Sequence, residues 1–346
     1  MADPTTAIPV TLITGFLGSG KTTLLNNLLR DPGMADTAVI INEFGDVAID
    51  HLLVESAIEN AVVLQSGCIC CTVRGDLVDT LSDLKAKQGR GEIPPFSRIA
   101  IETTGLADPT SIVQIFTTEE LVSSQFRLRA VVTTVDAVNA ADQLDQFEEA
   151  ARQVAMADII ILTKTDLADE ANVATLRQRL SRINPGAEIV PVMHGQLSPH
   201  DLFERAPQTP SATGEGLATW LKPEAFDDHH DHDHDHHDHH HGDAHSHHDA
   251  AIKAFAVTLD QPIEREALNR WLNAVLSLRG KDLLRMKGIV NVQGLPGPMV
   301  VHAVQNTVHP PVRLQRWPSD DHTTRIVFIT RNISRTALQN SLEALA

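Results

Sequence analysis

Tyrosine is absent from this 346-residue chain, and phenylalanine and tryptophan bring the aromatic content to only 4%. Hydrophobic residues still make up 42%, an ordinary share that allows a sizeable core. No run of about eighteen apolar residues occurs, which excludes a membrane-spanning helix. The opening residues Met1-Ala2-Asp3-Pro4 lack a basic region followed by an apolar stretch, so no secretory signal is read. Basic residues are scarce: 28 Lys and Arg stand against 45 Asp and Glu, for a net charge of −17. Eight of those acids fall within residues 227–249, yet the remaining 37 still outnumber the 28 bases. A chain of this sign is a poor partner for a nucleic-acid backbone and suits cation binding or simple solubility.

Cysteine is rarer still. There are three, all within Cys68-Ile69-Cys70-Cys71. An odd number excludes complete internal pairing, and a bridge between adjacent cysteines would be strained. Clustered thiols instead suggest a soft-metal site in a reducing compartment, so the expected location is cytoplasmic. Three thiolates supply three of the four ligands of a tetrahedral zinc site and leave one position open. Thiolate softness favours zinc or copper(I) over magnesium, while cobalt and nickel stay open.

Apolar runs at 8–14, 38–41, 61–64, 99–101, 130–135, 159–163 and 189–192 predict buried parallel strands. Helical patterns lie between them at 22–30, 76–87, 111–116, 140–157 and 173–183. This alternation predicts an α/β domain, doubly wound on a mainly parallel sheet, over residues 1–200, and the glycine loop Gly15–Thr22 makes it a P-loop NTPase domain. Ligands should then bind at the carboxyl ends of the strands. Residues 201–250 break the rhythm and read as a linker. From 251 to 346, strands at 252–259, 283–292, 299–304 and 325–330 with helices at 265–278 and 335–345 predict a smaller α+β domain.

Gly15-Phe16-Leu17-Gly18-Ser19-Gly20-Lys21-Thr22 matches the Walker A pattern between a strand and a helix. Its glycines let backbone amides curl around phosphates, with Gly15, Gly18, Ser19, Gly20, Lys21, Thr22 and the following Thr23 as candidate contacts. Lys21 neutralises β and γ oxygens, and the Thr22 hydroxyl can hold magnesium. Thr163, Lys164 and Asp166 end a predicted strand. The Asp166 carboxylate can accept from the N1–H and exocyclic amine of guanine, a pattern adenine does not donate, while the Lys164 stem packs on the base. An ordinary strand-end turn with a helix cap is the alternative. Glu102, ending the strand Ile99-Ala100-Ile101, suits a magnesium shell, and the Gly105 amide suits a second switch that senses the γ-phosphate. No residue stands out as the one that positions the attacking water, so unaided hydrolysis is expected to be slow.

Together the loop Gly15–Thr22, Asn42-Glu43-Phe44-Gly45, Gly67-Cys68-Ile69-Cys70-Cys71, Glu102–Asp108 and Thr163–Asp166 resemble the CobW-type P-loop GTPase metallochaperones, and within them the YjiA and zinc-chaperone branch. The resemblance covers nearly the whole chain, including a CobW-like C-terminal domain. It implies a GTPase that cycles between GTP and GDP, binds a transition metal between its two switches and hands it to a client metalloprotein. Cys68, Cys70 and Cys71 then become metal ligands, and Glu43 and Asp46 become oxygen ligands or magnesium contacts. Cobalt delivery for cobalamin synthesis, a nickel chaperone and a metal-buffering protein with a regulatory nucleotide site are the rival readings. A homodimer is left open.

Residues 227–249 hold twelve histidines and eight aspartates. Such a tract cannot bury enough apolar area to offset its ordering entropy and is expected to be a disordered tether. Its neutral imidazoles suit zinc, nickel or cobalt, so it reads as a metal reservoir or as a solvated linker with incidental affinity. His194 follows a predicted strand near the guanine edge. Trp220, Trp271 and Trp317 are expected in packing roles.

Overall fold

The structure, a computed structural model, describes residues 7–41, 62–65, 73–207, 209–226 and 251–345. They form two compact units: Met1–Ala140, Arg152–Arg177 and Ala187–Gln208 make one, and Ala141–Ala151, Gln178–Gly186 and Thr209–Ala346 the other.

The first unit is built on seven strands: β1 (Ile8–Gly15), β2 (Thr37–Ile41), β3 (Val62–Gln65), β4 (Arg98–Glu102), β5 (Phe126–Asp136), β6 (Ile159–Thr163) and β7 (Glu188–Val192). Their spatial order is β3-β2-β4-β1-β5-β6-β7, and every pairing is parallel. The strands are nearly continuous apolar runs, as a sheet covered on both faces requires. The register decides where the chemistry sits. Ile13 pairs Glu102, Gly15 pairs Thr134 and Asp136 pairs Thr163, so the polar ends of β1, β4, β5 and β6 meet at one carboxyl edge. There the chain leaves β1 for β2 on one side and later crosses to β5 on the other, the reversal at which open α/β sheets bind ligands.

Helices α1 (Lys21–Leu29), α2 (Val73–Arg90), α3 (Pro109–Thr118), α4 (Glu120–Ser123), α5 (Ala140–Gln146), α6 (Glu148–Met156), α7 (Glu170–Ile183), α8 (Pro199–Glu204) and α9 (Leu217–Leu221) follow in chain order. In α1, Leu24, Leu25, Leu28 and Leu29 are fully buried at helical spacing. They pack with Ile13, Val39, Ala100, Val132 and Ile161 of the strands. The helix read over 140–157 is in fact two, interrupted at Phe147. There the Phe147 amide closes on Gln143 O, and Glu148 and Glu149 open a fresh first turn, where acids favour a helix N-terminus. Strand β5 begins four residues earlier than the apolar run, because Arg127 and Arg129 interrupt that run while the backbone still pairs with β1.

The second unit carries β8 (Ile252–Leu259), α10 (Arg265–Arg279), β9 (Leu283–Val290), β10 (Met299–Val304), β11 (Thr307–Val308), β12 (Val312–Arg313), β13 (Thr324–Arg331) and α11 (Arg335–Glu343). The sheet is antiparallel in the order β11-β10-β9-β13-β8, with β12 on β10. Phe255, Val257, Met286 and Phe328 of its strands share a core with Trp271, Leu272 and Leu276 of α10 and Leu338 and Leu342 of α11. Trp220 and Trp271 are buried as expected. Trp317 is not: it is half-buried and stacks on His322 at 4.7 Å. Its neighbours, Arg316 and a Pro-Ser-Asp-Asp run, place it in a polar loop with no core to enter.

Candidate functional site

The chain turns out of β1 at Gly15, whose φ of +142° disfavours any side chain. A Cβ there would lie 2.2 Å from Thr134 Oγ1 and 2.4 Å from Thr134 O. The loop is therefore seated on β5, and a 2.6 Å hydrogen bond between the Ser19 and Thr134 hydroxyls fixes it further. Gly18, Gly20, Lys21, Thr22 and Thr23 line a cleft of about 920 Å³, together with Glu102, Gly105 and Lys164. The Lys21 ammonium, 8% exposed, donates to Gly15 O at 2.8 Å and Phe16 O at 3.1 Å. Its charge is thus fixed at the mouth of a glycine turn that opens onto the α1 N-terminus, the arrangement that binds phosphate.

Across the loop, the Thr22 hydroxyl donates to Glu102 Oε1 at 3.2 Å. Glu102 is 5% exposed at the end of β4. A hydroxyl and a carboxylate side by side are hard oxygen donors, and magnesium takes few protein oxygens and completes its shell with phosphates and water. The residues fit that ion. Beyond Glu102, the Thr103 amide donates to Ile13 O, and the chain passes so close to the phosphate loop at Gly105 that a Cβ would meet Leu17 N at 2.8 Å. Asp108 ends this stretch as the N-cap of α3 and accepts from Thr110 N at 2.9 Å.

Two of the residues at the end of β6, Thr163 and Lys164, are tied directly to the glycine loop. Thr163 Oγ1 donates to Ser19 O at 2.8 Å and has Val135 O as a longer alternative acceptor at 3.2 Å, so the hydroxyl ties β6 to the loop beside β5. Lys164, with a left-handed φ of +56°, donates from Nζ to Gly18 O at 2.9 Å and to Asp136 Oδ2 at 2.7 Å. Non-glycine residues in this conformation are held by their surroundings, and the two bonds supply that hold. Asp166 is about one-quarter exposed, and among the described residues its nearest ion-pairing neighbour is the His194 imidazole, whose Nε2 lies 3.9 Å away. The carboxylate is therefore open to a ligand.

Asp136 was not singled out by the motif reading. It is 1% exposed and accepts from Lys164, from Asn139 Nδ2 at 2.8 Å and from the Val138 amide at 2.8 Å. Burial raises its pKa, but the Lys164 and Asn139 hydrogen bonds and the Val138 amide outweigh it and hold the carboxyl below its ordinary value. An acid ending an apolar run is the same signal that marked Glu102 and Asp166. Gln153 and Arg152, which contact the stretch after β4, gave no such signal. Cys68, Cys70, Cys71, Glu43, Asp46 and the tract 227–249 lie outside the described residues. Among the described residues no group of three or more His, Cys, Asp or Glu could hold a metal, and no helix is long and apolar enough to cross a membrane.

A parallel sheet ending in this loop, with a lysine and a hydroxyl–carboxylate pair at its edge, defines a P-loop nucleotide-binding protein. Residues 9–191 match the CobW/HypB/UreG nucleotide-binding domain, and residues 252–346 match the cobalamin synthesis protein CobW C-terminal domain. The chain is 37% identical to the zinc chaperone YjiA of Escherichia coli over 301 residues, 86% of each chain. It is 29% identical to the zinc chaperone CobW of a Sinorhizobium species over 371 aligned positions, covering 98% of this chain and 97% of that one. The crystal structure of zinc-bound YjiA GTPase from E. coli superposes with a TM-score of 0.72 at 29% identity, over 98% of this chain and 99% of that one. The chain belongs to the CobW family of P-loop nucleotide-binding proteins.

Proposed function

We propose that the chain is a GTP-hydrolysing zinc chaperone. It takes zinc at Cys68, Cys70 and Cys71 and passes it to a client metalloprotein, with hydrolysis gating the transfer. One observation carries the nucleotide half: the residues that would read the base are bonded to the loop that would hold the phosphates, Thr163 to Ser19 O and Lys164 to Gly18 O. Base identity and phosphate contact are then parts of one rigid edge. Asp166, open to a ligand, accepts the N1–H and amine of guanine. Lys21 and the loop amides neutralise the β and γ phosphates, and Thr22 and Glu102 hold magnesium, which when bound screens the charge that develops during phosphoryl transfer. Gly105 presents its amide to the γ-phosphate.

The metal half is supported by the three clustered cysteines, by the relatives named as zinc chaperones and by the chemistry of thiolates. Glu43 and Asp46, in the segment matching the first switch, complete the zinc or magnesium shell. Loss of such a ligand on hydrolysis would weaken the zinc site and release its cargo. The domains are residues 1–200 for the GTPase, 201–250 for a linker carrying the histidine reservoir and 251–346 for the CobW-like C-terminal domain. The working compartment is the reducing cytoplasm.

Phosphate release from GTP and ATP tests the nucleotide half. The wild type is expected to turn over GTP slowly and ATP hardly at all. Asp166→Ala removes two hydrogen bonds to a carboxylate, about 3 kcal/mol in all, and lowers GTP affinity on the order of 100-fold. Equal use of ATP and GTP by the wild type would overturn the guanine assignment.

A further inference from the structure

Helix α6 meets the stretch after β4 at three points. The Gln153 carboxamide, 1% exposed, donates from Nε2 to Gly105 O at 3.1 Å and to Ala107 O at 3.0 Å. The adjoining Arg152 donates to Asp108 Oδ2 at 2.9 Å. The orientation of the carboxamide is forced, because turning it over would set its oxygen against two carbonyl oxygens. In that orientation Gln153 Oε1 is buried with no hydrogen-bond partner among the described residues. A side chain present only to fill space, such as Leu or Met, avoids that penalty. The two donor bonds are what the glutamine adds. The helix itself is pinned separately, by the Thr133 hydroxyl donating to Gln153 O at 2.8 Å.

We infer that Gln153 is a positioning residue of the second switch: its carboxamide holds the carbonyls of Gly105 and Ala107, so that the Gly105 amide, and not a carbonyl oxygen, meets the terminal phosphate of a bound nucleoside triphosphate. A carbonyl engaged on Gln153 is unavailable to face phosphate oxygens, which it would repel. Gly105 lies against Leu17 of the phosphate loop, so a small rotation of this backbone changes what the cleft presents. The role rests on the guanine-nucleotide function proposed above. It adds that discrimination between GTP and GDP depends on a glutamine that touches neither. GDP lacks the γ-phosphate and is indifferent to the arrangement.

The test measures GDP and guanosine 5′-(β,γ-imido)triphosphate affinities, GTP turnover and backbone hydrogen exchange at 104–108. It compares the wild type with Gln153→Met, Gln153→Glu and Thr133→Val. Gln153→Met keeps the volume and discards the donors, so it folds even where the buried carboxylate of Gln153→Glu does not. Both Gln153 variants are expected to keep GDP affinity within about twofold. They should lose on the order of tenfold in triphosphate-analogue affinity and in kcat, the worth of one or two hydrogen bonds. Exchange at 104–108 should quicken even without nucleotide. Thr133→Val loosens the same helix without touching the donors and should leave the triphosphate-to-diphosphate ratio unchanged. An unchanged ratio in Gln153→Met, or an equal loss in Thr133→Val, would overturn the inference. A wild type that neither binds the analogue nor hydrolyses GTP would overturn the proposed function itself, and the nucleotide-free exchange would then show whether the clamp exists.

Discussion

Asp136 shows how one side chain organises the nucleotide edge. It is almost fully buried, and it aims Lys164 across the phosphate loop through a 2.7 Å ion pair. Its carboxyl is held below the ordinary value of 3.8. Its contribution to stability is therefore complete above about pH 4 and is lost as the pH falls through the lower folded value. Asp136→Asn is expected to cost about 1–3 kcal/mol at neutral pH, with the gap to wild type narrowing below pH 4. Urea unfolding of both proteins at pH 7, 5 and 3.5 checks this, and a pH-independent gap would contradict it. At this scale the sequence was informative wherever a motif has a mechanism. Lys21, Thr22 and Glu102, which the structure brings to one cleft, and Asp166, which does not line it, were nameable as candidates because phosphate, magnesium and guanine would each demand a particular donor or acceptor at a strand end. Gln153 could not be named, since a glutamine inside a helix looks like any surface residue until the fold buries it.

Among the elements, β1, β4, β5 and β6 matter most, because their register sets four polar strand ends side by side. The alternation of apolar runs and helical periods made these strands legible. The order in which they lie was legible only as a class of fold, since crossover direction is a property of packing. The break at Phe147 was invisible for a physical reason: a single residue separates α5 from α6, too short an interruption for a helical period to register. The short β11 and β12 carry two residues each, too few for any period to register. In the second unit β13 is buried continuously from Ile326 to Thr330, and Phe328 at 0% exposure stacks on Phe255 at 5.8 Å. Phe328→Ala is expected to destabilise by about 3–5 kcal/mol through lost burial and a residual cavity, and Phe328→Leu by about 1.5 kcal/mol or less. Equilibrium unfolding would show this, and equal effects would mean that the core relaxes to fill the space.

For the whole molecule, two features bear on working conditions. His302 stacks on His309 at 4.3 Å and meets the edge of Trp220. Burial, then the nearby His309, Arg285 and Lys287, push its pKa well below 6.5. A histidine held neutral in the fold contributes stability that is present above pH 6.5 and is lost as the pH falls toward the folded value, at no more than about 1.4 kcal/mol per pH unit. Acid unfolding of the wild type should therefore steepen below pH 6.5, and His302→Gln should flatten that limb. An identical pH profile in the variant would exclude His302 as the cause. The second feature is the joining of a nucleotide edge to a thiol cluster in one chain. Of these two parts, the fold shows the first, as a glycine loop bonded to β5 and β6. The second is read from Cys68, Cys70 and Cys71 and from the family, because those positions lie outside the described residues.

The central claim is that nucleotide state sets zinc affinity at those three cysteines. Zinc titration against a competing chelator, with GTP analogue, with GDP and without nucleotide, tests it most directly when run on the wild type and on the triple Cys68, Cys70, Cys71→Ser variant. The expected result is one tight, thiol-dependent zinc whose affinity differs between the triphosphate and diphosphate states on the order of tenfold or more, a coupling of about 1.4 kcal/mol. Equal zinc affinity in all three states would contradict the claim and leave a metal buffer that happens to bind nucleotide.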